Sequence, residues 1–306
     1  MEKIMDNIPA YLDYQSQLYR LNQLGIKNNG TKQDINFIKT VGYYKLKEFA
    51  QPFRVDQEEY SNVKFEDVVR RYYQDKNMRM QVLHAIESIE VAVNSEIANH
   101  LGKRYGAFGY LDFSKWCNKK EYSKYSLEKE QYFFKSQIKR TLKKATMPDL
   151  NISRNLDQDG FPTIWLMVNA LMFGNTSRFI KLMAPKNVRA IAAEFDCTGK
   201  ELNSWLGCLN LVRNICSHNE DLLDIKFKEK PIPPSEYKNC LVVHQGLYTD
   251  RIAIALFIIR HFMNTINFKY RFNDIAKSVY KAANNSENQL KKLGFTSKRA
   301  VDRLRV

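Results

Sequence analysis

Apolar residues recur along this chain at three- and four-residue steps, and stretches that alternate apolar with polar are few. Neighbours on one face of an α-helix are spaced in this way, so the pattern predicts an all-α protein. The longest run starts at Phe65 and continues to about Leu101 without a Gly or Pro. Val82, Ile86, Ile89, Val93 and Ile97 share one face of it, which predicts a single amphipathic helix closed by Gly102 and Gly106. Upstream, Thr31 and Asp34 supply the cap and acidic first turn of a helix over 31–44, with Ile35, Ile38 and Val41 in step. Downstream, helices are predicted over 121–145, 163–173 (with Trp165 in the core and Gly174 as its stop), 176–183, 187–195 and 199–217. Leu202, Leu206, Leu209 and Val212 line one side of the last. A strongly apolar run over 248–268 predicts a buried helix.

Two polar stretches break this series. Residues 146–162 read as an exposed loop and 228–239 as a proline-bearing surface crossing. The expected organisation is a helical domain over 1–225, with the loop 146–162 between its halves. A helical extension over 226–306 follows, packed on the same core and ending in a basic tail.

The charge changes the picture. The chain has 306 residues, with 48 Lys and Arg against 33 Asp and Glu, a formal charge of +15. Residues 115–144 and 269–306 each carry +7, so 68 residues hold +14 and the other 238 are nearly neutral. Two basic surfaces of this kind point to a polyanion, and RNA is the expected partner. The candidate RNA-binding residues are Lys119, Lys120, Lys124, Lys135, Lys139, Arg140, Lys143 and Lys144, with Lys291, Lys292, Lys298 and Arg299 near the C-terminus. In the first segment Trp116, Tyr122, Tyr125, Tyr132, Phe133 and Phe134 interleave with the lysines. Exposed rings there could stack on unpaired bases, and buried ones would simply face the core.

The sharpest motif is Arg213-Asn214-Ile215-Cys216-Ser217-His218 at the end of the 199–217 helix. Arg and His at this loose spacing arise by chance ~1 time in a chain with 17 Arg and 5 His. Arg79 and His84 are such a coincidence. Adding Asn after the Arg lowers the expectation to ~0.02 per chain. The trio suits RNA cleavage without a metal. Imidazole exchanges protons near neutral pH, and guanidinium offers a charged fork for phosphate oxygens. Asn214 and His218 are one helical turn apart, so the amide can orient the ring. One His cannot readily serve as base and acid in the same step, which predicts a homodimer with a composite site. A His capping helix carbonyls beside an Arg in a surface ion pair would leave the same residues without chemistry.

The stretches QLGIKNNG…FIKTVGYYKLKEFAQPF, AIESIEVAVNSEIANHLGKRYG, FPTIWLMVNALMFGNTSRF and SWLGCLNLVRNICSHNEDLLD follow one another over roughly residues 15–225. In them the chain resembles the AbiD/AbiF type of bacterial abortive-infection proteins, members of the HEPN superfamily. The resemblance implies a HEPN-like helical bundle with additional helices, and an endoribonuclease toxin built on Arg213, Asn214 and His218. It also implies a small noncoding RNA as antitoxin, and an acidic residue facing the motif, for which Glu87 and Glu90 are candidates. The alternative is a non-catalytic RNA-binding protein that uses the same fold as a scaffold. Double-stranded DNA binding has no recognition helix to support it.

Other chemistry is not indicated. The five cysteines are scattered without CxxC spacing, and His84, His100, His244 and His261 form no metal-like pair. No Walker loop or GxSxG elbow occurs, so neither a cofactor nor a catalytic metal is expected. The apolar runs are too short for a signal peptide or a bilayer span, which predicts a cytoplasmic protein with no membrane partner.

Overall fold

The computed structural model describes residues 10–57 and 59–305. Asp13 caps the first helix, α1 (Tyr14–Gln23), by accepting the Ser16 N–H at 2.7 Å. Thr31 and Asp34 form a reciprocal capping box on α2 (Lys32–Val41). Gly42, at φ 95°, then breaks the predicted 31–44 helix and starts α3 (Tyr43–Phe49). Short strands stitch this module together: β1 (Ile26–Lys27) pairs with β4 (Val63–Lys64), and β2 (Arg54–Asp56) with β3 (Glu59–Tyr60). Leu18, Leu21, Ile38, Phe49, Phe65 and Val68 form its apolar centre.

The long predicted helix is α4 (Phe65–Tyr105), 41 residues and about 60 Å at 1.5 Å per residue. Its first turns belong to the N-terminal module. From Met78 onward it carries the main core, with Val82, Ile86, Ile89, Val93 and Ile97 all buried. Gly106 ends α4, but Gly102 lies inside it. The Trp165 indole lies across Gly102, and a Cβ there would come within 2.7 Å of the ring. Trp165 is therefore not a core residue; half of it is exposed.

The segments α5 (Phe113–Trp116) and α6 (Lys124–Leu142) follow, then an exposed loop of 3-10 turns anchored where the Tyr110 hydroxyl donates to Pro162 O at 2.7 Å. The helix expected over 163–173 is divided. Its parts are α7 (Ile164–Met167), a 3-10 turn (Val168–Ala170) and extended residues at Leu171 and Met172. Gly174 accordingly sits in the first turn of α8 (Phe173–Leu182) and ends no helix. After α9 (Pro185–Ala193) comes α10 (Gly199–Ser217), capped by a Thr198–Glu201 box and packed against α4, α8 and α9.

The crossing after α10 is pinned where Trp205 Nε1 donates to Ile232 O at 2.7 Å. A short hairpin, β5 (Val243–His244) with β6 (Leu247–Tyr248), leads into α11 (Ile252–Ile266), which is buried along nearly all of its length and packs on α4 and α10. The remaining helices are α12 (Asn273–Ala282), α13 (Glu287–Lys292) and α14 (Lys298–Asp302). Phe295, Val301 and Leu304 are buried in the main core, so the basic C-terminal segment is folded and is no flexible tail. No helix among the described residues is long and apolar enough to cross a membrane.

Candidate active site

Arg213, Asn214 and His218 lie together on the last turn and a half of α10, at the edge of its buried face. The helix ends there for a local reason. Asn219 adopts the left-handed conformation at φ 58°, and the Glu220 N–H turns back to Ile215 O at 3.0 Å, the bond of a Schellman cap. His218 is the exposed residue just before that turn. Its backbone N–H donates to Asn214 O at 2.9 Å. No side-chain hydrogen bond joins Asn214 to His218 among the described residues. Among the described residues, the Arg213 guanidinium and the His218 imidazole make no hydrogen bond or ion pair.

Of the two acidic candidates on α4, Glu90 is the one within electrostatic reach of Arg213. It is partly buried, and burial pushes its carboxyl above the usual range. The positive charge of Arg213 opposes that shift and the neighbouring Glu87 adds to it. Glu87 itself is exposed. One turn beyond Glu90, buried Asn94 donates to Val168 O at 3.2 Å and accepts from the Thr176 hydroxyl at 2.7 Å. These bonds fix the start of α8 against α4. Gly174 of α8 faces Asn210 of α10, where a Cβ would stand 3.4 Å from the amide oxygen, an ordinary contact.

The turn after His218 is held by a buried network that sequence spacing did not reveal. Asp75, fully buried on α4, accepts from Arg79 Nε at 2.6 Å and from the N–H groups of Leu222 and Leu223 at 2.8 and 3.0 Å. Burial pushes the Asp75 carboxyl up, against the pull of Arg79 and of those two donors. Arg79 Nη1 donates to Asn219 Oδ1 at 2.9 Å. From α3, Lys45 donates to Asn219 O at 3.0 Å, and Glu48 accepts the Asp221 N–H at 2.9 Å. Asp221 is pushed up to about 8 by burial and by the nearby carboxylates of Asp224 and Asp75, with Arg71 opposing. Among the described residues Arg79 and His84 share no bond or ring contact; Arg79 instead anchors the turn that ends the motif helix.

The other histidines are placed differently. His100 lies 3.1 Å from Asn187 Oδ1, and His261 bridges Glu236 and Phe195 O. His84 is exposed and stacks on Tyr270 at 6.0 Å. Among the described residues no group of three His, Cys, Asp or Glu side chains is placed to hold a metal ion.

The basic residues expected to bind RNA fall on separate surfaces. Lys119 and Lys120 lie in the turn before α6; Lys124, Lys135, Lys139 and Arg140 lie on it, and Lys143 and Lys144 at its end. Lys139 and Lys135 stand 4.8 and 5.7 Å over the Phe161 ring. Of the interleaved aromatics, Trp116 is buried and Tyr122 and Phe134 are partly buried, whereas Tyr125, Tyr132 and Phe133 are exposed. Lys298 and Arg299 occupy the exposed first turn of α14. Lys291 and Lys292, at the end of α13, line a recess that also contains Arg71 and Asp224, next to the turn that follows the motif.

A mainly helical protein, with only short strand pairs and an open Arg-Asn-x3-His helix end, therefore emerges. A family model described as Abi-like protein matches residues 36–224, and the chain belongs to that family. Membership suggests abortive-infection defence. The match takes in every element that builds the site, α3, α4, α8, α10 and the turn to Asp224. No curated protein matches the chain, and no solved structure does.

Proposed function

We propose that this protein is a metal-independent endoribonuclease toxin of HEPN type, acting in a bacterial antiphage system. The observation that carries this reading is the open end of α10, where Arg213 and His218 share a surface free of internal partners while Glu90 approaches from α4. In the proposed reaction a 2′-hydroxyl attacks the adjacent phosphorus, one imidazole takes its proton, and a second protonates the departing 5′-oxygen. The guanidinium stabilises charge on the crowded phosphate.

Two imidazoles imply two copies of the chain. Val91, 69% exposed and next to Glu90 in sequence, and Met172, 56% exposed at the start of α8, are apolar side chains that a second copy could cover. A small noncoding antitoxin RNA would control the toxin by covering the composite site or by keeping the copies apart. The exposed rings and lysines of α6 equally suit RNA binding without catalysis, the second reading.

Purified wild-type and His218→Ala protein, each with EDTA and total RNA, separate the two. Cleavage by wild type alone, leaving 2′,3′-cyclic phosphate ends, supports the nuclease. No cleavage by either, once co-purified RNA is stripped away, favours the binding scaffold.

A further inference from the structure

The face of α10 that carries Asn214 and His218 continues upward as the floor of a groove of about 960 Å³. Ser204, Gly207 and Leu211 form that floor, in line with the motif at helical spacing. Lys181 of α8 stands on one wall, and Lys226, Lys228 and Lys230 on the other. At Lys230 the groove meets the recess of about 650 Å³ that holds Lys291 and Lys292. Arg71 and Arg251 of that recess are paired with Asp224 and Asp250. The six lysines, by contrast, form no ion pair among the described residues, although Glu121 and Glu229 also lie on the groove. Cations left unpaired on both walls are arranged for an anion that runs lengthwise between them.

We infer that this groove is the substrate track, holding the phosphate backbone of single-stranded RNA from the α13 lysines, past Lys230 and along α10, to His218. The inference rests on the nuclease reading for the identity of the strand, and joins Lys291 and Lys292 of the C-terminal basic segment to the motif by a path along α10 that neither segment indicated. A single strand follows a walled, positively charged groove and sets its bases on apolar surface, which Leu211 supplies. An RNA duplex is gripped from outside across its shallow minor groove and would meet only one wall.

The test uses full-length protein in a His218→Ala background, so that the probe survives, with a labelled uridine homopolymer of about 20 nucleotides. Affinity is followed by fluorescence anisotropy from about 50 to about 200 mM salt. Replacing the exposed Lys226, Lys228 and Lys230 by Gln is expected to reduce the slope of log affinity against log salt by about two, at ~0.7 per lost phosphate contact. Affinity at low salt should fall about tenfold or more. An unchanged slope and affinity in a variant of wild-type thermal stability overturns the track. So does a loss of dimer mass in sedimentation with RNA binding intact, which would give the groove to a second copy of the chain.

The two readings fail separately. A wild-type protein that binds the probe through these lysines but cuts nothing keeps the track and loses the nuclease. One that cuts RNA with KM untouched by the three substitutions keeps the nuclease and loses the track.

Discussion

Arg79 with His84 and Arg213 with His218 repeat the same five-residue step, and the fold treats them in opposite ways. Arg79 is 3% exposed and bonded through Nε to Asp75 and through Nη1 to Asn219, while its buried Nη2 is left without a hydrogen-bond partner. His84 points outward against Tyr270. Arg213 stays partly buried with Glu90 near it but no bond closed, and His218 is open to solvent. The difference lies in what surrounds each guanidinium. A carboxylate with two further backbone donors turns the first into a structural tie, whereas a half-buried carboxylate at longer range leaves the second available. Spacing selects candidates; freedom from internal partners separates a site from a strut.

The comparison breaks most sharply at Arg79. Arg79→Ala leaves Asp75 buried with no countercharge and only the Leu222 and Leu223 N–H donors, and should cost about 3–5 kcal/mol in urea unfolding. Arg213→Ala should change stability by less than ~1 kcal/mol while abolishing cleavage, and equal destabilisation by both would erase the distinction. Glu90→Gln should lower kcat about tenfold, roughly 1.4 kcal/mol in barrier. It should not lower stability, because a carboxyl pushed up by burial is a cost to the folded state once ionised, and the amide removes that cost.

Asp221 gives a smaller, pH-dependent effect. Its folded value of about 8 stands above the ordinary 3.8, so the folded chain keeps a proton that the unfolded chain has released. Stability from this group therefore falls as pH rises between those two values. Asp221→Asn should flatten that decline, raising the melting temperature at pH 9 by about 2 °C or more with little change near pH 4. Smallest of all, His84→Ala should stay within ~0.5 kcal/mol of wild type and cleave normally. Lost activity there would put the wrong pair at the centre.

The helices that build the site were largely legible, because each carries its own signal. Thr198 and Glu201 mark the start of α10, and α10 spans the predicted 199–217. The stripe from Val82 to Ile97 marks α4, though not its last turn, since Gly102 stays helical under a ring from residue 165. The 163–173 helix was misread because Leu171 and Met172 are apolar in extended backbone as well. Their geometry is set by Asn94, 74 residues before its partner Val168, and by Asn175, which accepts the Met172 N–H.

Glu90 was separable from Glu87 in principle, as it lies nearer the buried stripe on a helical projection. Arg79 was not, with its partner Asn219 140 residues away. Lys181, Lys226, Lys228 and Lys230 escaped notice because Lys181 stands alone on α8 and the three lysines at 226–230 are offset in sequence by Glu220, Asp221, Asp224 and Glu229.

The tie between Asp75 and the N–H groups of Leu222 and Leu223 spans 147 and 148 residues of chain. At about 5–20 residues per second of synthesis, α4 waits roughly 7–30 s for the segment that completes it. Until then the growing chain has no anchored turn after His218, because that segment has not been made. Arg213 and His218 are made only a few residues before Leu222, so the motif and the buried contact that anchors the turn behind it are completed almost together, at the end of the same wait.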